Sequence, residues 1–406
     1  MSVFDSLVGQ EAAVDVLKAA AAAGRALAKG QEPPTSSAMS HAWLFTGPPG
    51  SGRSLAARTL AAALLCTGPE PGCGQCPGCL AAMADNHPDL TTVSTDLVTI
   101  SADEVREYVA SAFVAPSQGH YRIFLIEDAD RMVERTTNVL LKAIEEPGEH
   151  TVWMLCTAAP ADVLPTIRSR CRGVNLVTPS AQEVADLLVE RDGIEPKQAM
   201  LAARASQSHV GVARALALNE DGAAAIRRHT LDAIVSIKGV GDAEMAAIRL
   251  MDPEAMRGEK TPKAGTKAAK AAKDAQAEAA KRKVMEAYGL DADSKVPTSM
   301  RGEIKAALDS AKKRATRNQR DLLDRELIYA IGLYRDVLVT QLGSDVELIN
   351  QDYIEAIANL ASELTPALVL KKIEKLGEAR ERLAANVAPQ LAMEAAMMAL
   401  RLTPHA

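Results

Sequence analysis

Residues 47–54 read GPPGSGRS. They match the phosphate-binding loop G-x-x-x-x-G-K-[ST] at every specified position except one, where arginine stands in place of lysine. Such a loop needs a buried strand before it and a helix after it, because the helix N-terminus supplies the N–H groups that complete the phosphate cradle. Both flanks are legible. The apolar run 42–46 predicts a buried strand, and 53–65 predicts an alanine-rich helix. One octapeptide therefore commits the N-terminal part of the chain to strand, loop and helix, the repeating unit of an α/β sheet.

The rest of the first 178 residues extends that pattern. Residues 121–126 and 151–157 are short β-prone runs, separated by helical patterns at 11–29, 102–112, 134–145 and 161–170. Strands alternating with helices imply a parallel sheet covered on both faces. From 179 onward the strand signals fade. Residues 181–191, 196–205 and 210–219 predict three short helices, and 223–406 predicts longer ones, clearest at 320–342, 346–363 and 366–402 with a break near Pro389. The expected organisation is 1–178, 179–222 and 223–406. Aromatics make up only 3% of the chain, so helix-on-helix packing must rely on small and aliphatic side chains. No stretch of about 18 residues is apolar enough to span a membrane. The N-terminus lacks the basic start and apolar core of a signal peptide, and the chain is expected in the cytoplasm.

Gly47, Gly50 and Gly52 allow the loop its tight backbone, and Ser54 can offer a hydroxyl to Mg²⁺. Arg53 is the departure. Lysine places a compact charge between phosphates, whereas arginine is longer, planar and forked, so the exchange is not conservative in a crowded site. ATP hydrolysis also needs a strand ending in Asp-Glu, the first residue for the metal shell and the second for the attacking water. Here the strand ends in Glu127-Asp128, the reverse order. Each side chain is then wrong by one methylene, about 1.5 Å, a misplacement that can cost on the order of a hundredfold in rate. Both departures predict weak or absent ATPase and leave nucleotide binding, with ATP and Mg²⁺, open for this chain's own pocket.

Four of the six cysteines cluster as C-x6-C-x2-C-x2-C: Cys66, Cys73, Cys76 and Cys79. In a reducing compartment such a cluster points to a metal rather than to disulfides. Four thiolates with no open position predict a closed structural Zn²⁺ site. His87 is a fallback ligand, although "NHPDL" reads better as a turn. Cys156 and Cys171 read as ordinary buried thiols.

The chain carries a net charge of −6, which is unevenly spread. Residues 257–283 hold nine basic residues against three acids, a local +6 that leaves −12 elsewhere. Lys260, Lys263, Lys267 and Lys270 fall on one side of a helix. Two readings fit: a solvated helix with nothing to pack against, or an arm that contacts phosphate and releases it in salt.

Taken together, the loop, the cysteine module after its helix, "NVLLKAIEEPGEH" (138–150) and "LPTIRSRC" (164–171) resemble the clamp-loader subunits of bacterial DNA polymerase III. The resemblance is firm over 1–220. It implies an AAA+ fold: a RecA-like parallel sheet with helices on both faces, a three-helix lid at 179–222 and an all-α collar at 223–406; the Lys/Ala-rich stretch near 255–300 departs from that collar as an insertion. It implies membership of a hetero-pentameric ring with tau/gamma and delta subunits, acting with the sliding clamp and primer-template DNA in the nucleoid, away from membranes. Arg170 matches the arginine finger given in trans to a neighbour's ATP, with Arg168 and Arg172 as competitors. Thr157 matches a sensor at a strand end, Arg214 a sensor arginine of the lid, and "FDSLVGQ" (4–10) the segment lying over adenine. The six-residue gap between the first two cysteines is shorter than the eight associated with the family. Arg53 and Glu127-Asp128 favour the non-hydrolysing stator branch. The alternatives are an ATP-hydrolysing tau/gamma-like motor and a free-standing zinc-dependent nucleic-acid binder. The second lacks the interleaved aromatics that base stacking needs.

Overall fold

The computed structural model describes residues 2–33, 38–93, 100–251, 301–385 and 387–401, except the side chains of Asp221 and of 301–318. The basic block 257–283 and the whole of the insertion near 255–300 lie outside the described residues. The chain divides into two compact units, Met1–Arg214 and Ala215–Ala406.

In the first unit β1 (Ala42–Thr46), β2 (Leu90–Val93), β3 (Arg122–Ile126), β4 (Thr151–Thr157) and β5 (Arg172–Asn175) form one sheet in the order β2-β3-β4-β1-β5. Every neighbouring pair is parallel. Alternation along the strands sends side chains to two separate cores. Trp43, Phe45, Ile123, Leu125, Met154 and Cys156 enter one core, with the inner faces of α1 (Glu11–Ala28) and α2 (Arg53–Leu64). Leu44, Phe124, Ile126, Trp153 and Leu155 enter the other, with α4 (Ala102–Ser111) and α5 (Glu134–Glu145). Phe124 and Trp153 stack there with ring centroids 4.5 Å apart. Burial on both faces is why β1, β3 and β4 read as continuous apolar runs. Between α2 and β2 lies the short α3 (Pro77–Met83).

The segment expected as a helix over 161–170 is helical only as α6 (Pro165–Arg168). Pro165 disfavours helical geometry at the residue before it, and Leu164 is extended, with φ −52° and ψ 137°. The helical remainder of this unit is α7 (Ala181–Asp192), α8 (Pro196–Ala205) and α9 (Val210–Leu218), whose last residues pass into the second unit. Ser180 and Glu183 cap α7 reciprocally.

Among the described residues the regular structure of the second unit is all helical: α10 (Ala223–Val235), α11 (Val240–Leu250) and the helices Arg301–Gln341, Ile354–Glu363, Pro366–Ala384 and Pro389–Ala399. Leu327, Leu333, Tyr334, Val337, Leu376 and Met393 are among its buried core. The helix expected over 346–363 begins only at Ile354. Buried Asp336 accepts hydrogen bonds from Ile349 N, Asn350 N and Asn350 Nδ2, which holds the preceding stretch out of a helix. Arg227, also buried, forks onto Asp352 and reaches Asn350 at 2.8 Å.

Candidate phosphate loop and metal centre

The loop 47–54 leaves the carboxyl end of β1. Thr46, its last strand residue, is in register with Thr157 at the end of β4, and Ile126, just before Glu127-Asp128, is in register with Leu155. The loop, the acidic pair and Thr157 therefore share the carboxyl edge of the sheet, where α/β folds place ligands.

The loop's polar groups are engaged within the protein. The Arg53 guanidinium donates through Nη1 to the carbonyl of Gly47, the first residue of its own loop. Buried Gln10 donates through Nε2 to Val177 O at 2.6 Å and Ser51 O at 3.4 Å, and its Oε1 accepts from Val177 N at 3.1 Å. Gly50 has φ +87°, and a Cβ there would lie 2.9 Å from Cδ2 of His209. The imidazole thus rests against the loop from the turn between α8 and α9, in which Gln207 and Ser208 both take left-handed backbone.

The acidic pair is held by arginines. Glu127 Oε1 lies 3.4 Å from Arg58 Nη2, which is also 3.9 Å from Asp85. Asp128 lies 3.6 Å from Arg131. Thr157, fully buried, donates to Asp130 Oδ1 at 2.8 Å and accepts from Ala159 N at 3.0 Å. Cys156, the residue before Thr157, is fully buried. Burial, with the charges of Glu127 and Asp128, pushes its thiol well up despite the opposing charge of Arg53. Sequence reasoning missed Arg58, Asp130 and His209, because nothing in their local sequence marks them.

The three candidate finger arginines have different partners. Arg172 lies over the Trp43 ring, 5.1 Å from its centroid, and donates to Ala38 O. Arg168 donates to Pro160 O at 3.2 Å. Arg170 stands just past α6, its side chain 41% exposed, paired with Glu145 at 2.7 Å and donating to Thr166 O at 2.9 Å. In the lid, Arg214 pairs with Asp192 at 3.2 Å.

The cysteine module lies at the far end of α2. The sulfurs of Cys66, Cys73, Cys76 and Cys79 all lie within 4.8 Å of one another. Cys66 is 3.6 Å from Cys73 and 3.7 Å from Cys76. Tetrahedral zinc with bonds of about 2.3 Å sets sulfurs about 3.8 Å apart, so the donor set fits that ion. Cys76 caps α3. Burial opposes ionisation of its thiol, but hydrogen bonds from Thr67 and Cys79 bring it down to about 5. Cys79, fully buried, is pushed up by burial. His87 is outside the cluster: its Nδ1 accepts from Asp89 N at 3.1 Å, in the turn that leads into β2.

A loop of this kind on a five-stranded parallel sheet, with a helical lid after it, defines an AAA+ protein. The model of the family described as DNA polymerase III, delta subunit, matches residues 25–180, and that of its C-terminal domain matches 317–401. The delta-prime subunit of Bacillus subtilis is 27% identical over 365 residues, 89% of this chain and 91% of that one. The delta-prime subunit of Escherichia coli is 33% identical over 181 residues, 43% of this chain and 54% of that one. The gamma/tau subunit of Mycobacterium tuberculosis is 34% identical over 249 residues, 53% of this chain. The chain spans only about 40% of the length of that gamma/tau relative. Together these matches support a delta-prime clamp-loader subunit of DNA polymerase III, related to tau/gamma.

Proposed function

We propose that this chain is the stator of a DNA polymerase III clamp loader. It joins tau/gamma and delta subunits in a five-membered ring that loads the sliding clamp onto primed DNA in the cytoplasm. Its four cysteines hold a structural Zn²⁺. It hydrolyses little or no ATP itself and gives Arg170 to the ATP of a neighbouring motor subunit.

One observation carries this reading: the two arginines are used in opposite ways. Arg53, where a motor has its phosphate-binding lysine, is turned onto the loop's own Gly47. Arg170 sits on the surface beside Glu145, an exposed pair that a stronger anion can displace. A guanidinium brought to a transferring phosphoryl group is worth about 10³–10⁵ in rate.

The test is a clamp loader reconstituted with its tau/gamma and delta partners. Arg170→Ala is expected to slow hydrolysis at the adjoining site by about a thousandfold, with this chain still folded and zinc-loaded. Arg168→Ala should leave that rate in place, and Arg172→Ala should lower stability instead, because it strips the cover from Trp43. Unchanged hydrolysis in Arg170→Ala would sink the finger assignment. The 34% identity to a gamma/tau subunit favours a second reading, an active motor. A turnover rate for the isolated chain equal to that of the assembled motor would establish it over the first.

A further inference from the structure

The cysteine module and the phosphate loop stand at opposite ends of α2, and the N-terminal segment touches both. At the cysteine end, Val3 N donates to Gly72 O at 2.9 Å and Ser2 Oγ donates to the same oxygen at 3.0 Å. Gly72 immediately precedes Cys73, in the turn between the first two cysteines. Its φ is +76°, and a Cβ there would lie 2.7 Å from Phe4 Cε2 and 2.9 Å from Val3 Cγ2. Only glycine lets the two segments approach this closely. Val3 and Phe4 are buried in the same cluster as Cys66 and Cys79. At the other end of the segment, Gln10 holds Ser51 of the phosphate loop and both polar backbone atoms of Val177. Helix α1 repeats the linkage: near its C-terminus Arg25 donates to Cys66 O at 2.9 Å, Gly68 O at 2.9 Å and Pro69 O at 2.7 Å.

The turn 67–72 contains neither helix nor strand. The turn is tied to the sulfurs at both ends: Thr67 N donates to Cys76 Sγ at 3.3 Å, and Gly72 leads directly into Cys73, itself one of the four. The place of Gly72 O therefore follows from where the four sulfurs are held. Thiolates this close repel one another, so a cation that draws them together also sets the shape of the turn.

We propose that the four-cysteine centre positions the N-terminal segment on the phosphate loop. The bound metal shapes the turn 67–72, Gly72 docks Ser2, Val3 and Phe4, and Gln10 carries that placement to Ser51. Gly72 and Gln10 are positioning residues in this scheme. The inference rests on the metal reading of the cysteines, and the zinc content of each sample separates a failure of that reading from a failure of this one.

The experiment is hydrogen exchange read by mass spectrometry on the full chain, with zinc measured in the same samples. Removing zinc with a high-affinity chelator is expected to speed exchange of the N-terminal peptide, residues 3–10, by at least about tenfold, the loss of one or two hydrogen bonds. The peptide covering 134–145 should keep its protection. Gly72→Val should give the same acceleration with one zinc still bound per chain, because it wedges the segment off without touching a ligand. If chelation unfolds the whole unit, Gly72→Val alone decides. Zinc-loaded Gly72→Val with residues 3–10 as protected as in the parent chain overturns the proposal. So does a folded, zinc-free chain with unchanged protection there.

Discussion

The two glycine-rich turns at the ends of α2 make opposite demands on their side chains. The phosphate loop takes most of its binding power from backbone N–H groups and relies on a single cationic side chain. Its outline here is complete, yet the guanidinium at position 53 is bonded to Gly47 and the acids that would complete the chemistry are reversed and held by Arg58 and Arg131. The cysteine turn takes its binding power from side chains alone, and all four converge. A site built on backbone shape can keep its form after one side chain has redirected its chemistry. A site built on donors has no form apart from them.

The largest expected contrast is in thiol chemistry. Burial pushes the Cys171 thiol up to about 12, and Cys156 is pushed up as well. The sign follows directly: a raised pKa means less thiolate at a given pH. At pH 8 Cys171 holds a thiolate fraction of about 10⁻⁴, on the order of a thousandfold below an ordinary cysteine. After zinc is chelated from the folded chain, an alkylating reagent at pH 8 should label Cys76 far faster than Cys79, Cys156 and Cys171, whose thiols burial holds protonated. Labelling of six at equal rates would break the distinction. Next in size is Cys76→Ser, which removes a donor from a closed set and should weaken zinc affinity at least about a hundredfold, measured by chelator competition. Smaller again is Arg53→Lys. It frees Gly47 and restores a compact charge, so binding of a fluorescent ATP analogue should tighten by about tenfold. Hydrolysis should stay at background because Glu127-Asp128 is unchanged. Robust turnover in that variant would mean that the reversed acids are competent.

The legible parts of the fold are those where burial is continuous. Strands β1, β3 and β4 read clearly because the sheet has a core on each face. Strands β2 and β5 did not, because they are four residues long at the sheet edges and β5 buries only Val174. The false helix at 161–170 came from an apolar pattern that ignored Pro165. At the site, Arg53 was legible as a departure, but its bond to Gly47 was not. His209 reaches the loop across more than 150 residues of chain, and no local pattern announces such a contact.

The sequence by itself determined the identities and spacings that act over a few residues: four thiols in one short stretch, a glycine loop between strand and helix, an acidic pair in reversed order. These are local, so the chain need only turn tightly for them to meet. Tertiary structure decided which partner each charged group takes. Arg53 turns to Gly47, Arg172 to Trp43 and Ala38, and Arg170 to Glu145 on the surface. That choice is a competition among groups brought together from distant parts of the chain, and it is settled only once the sheet and its helices have packed.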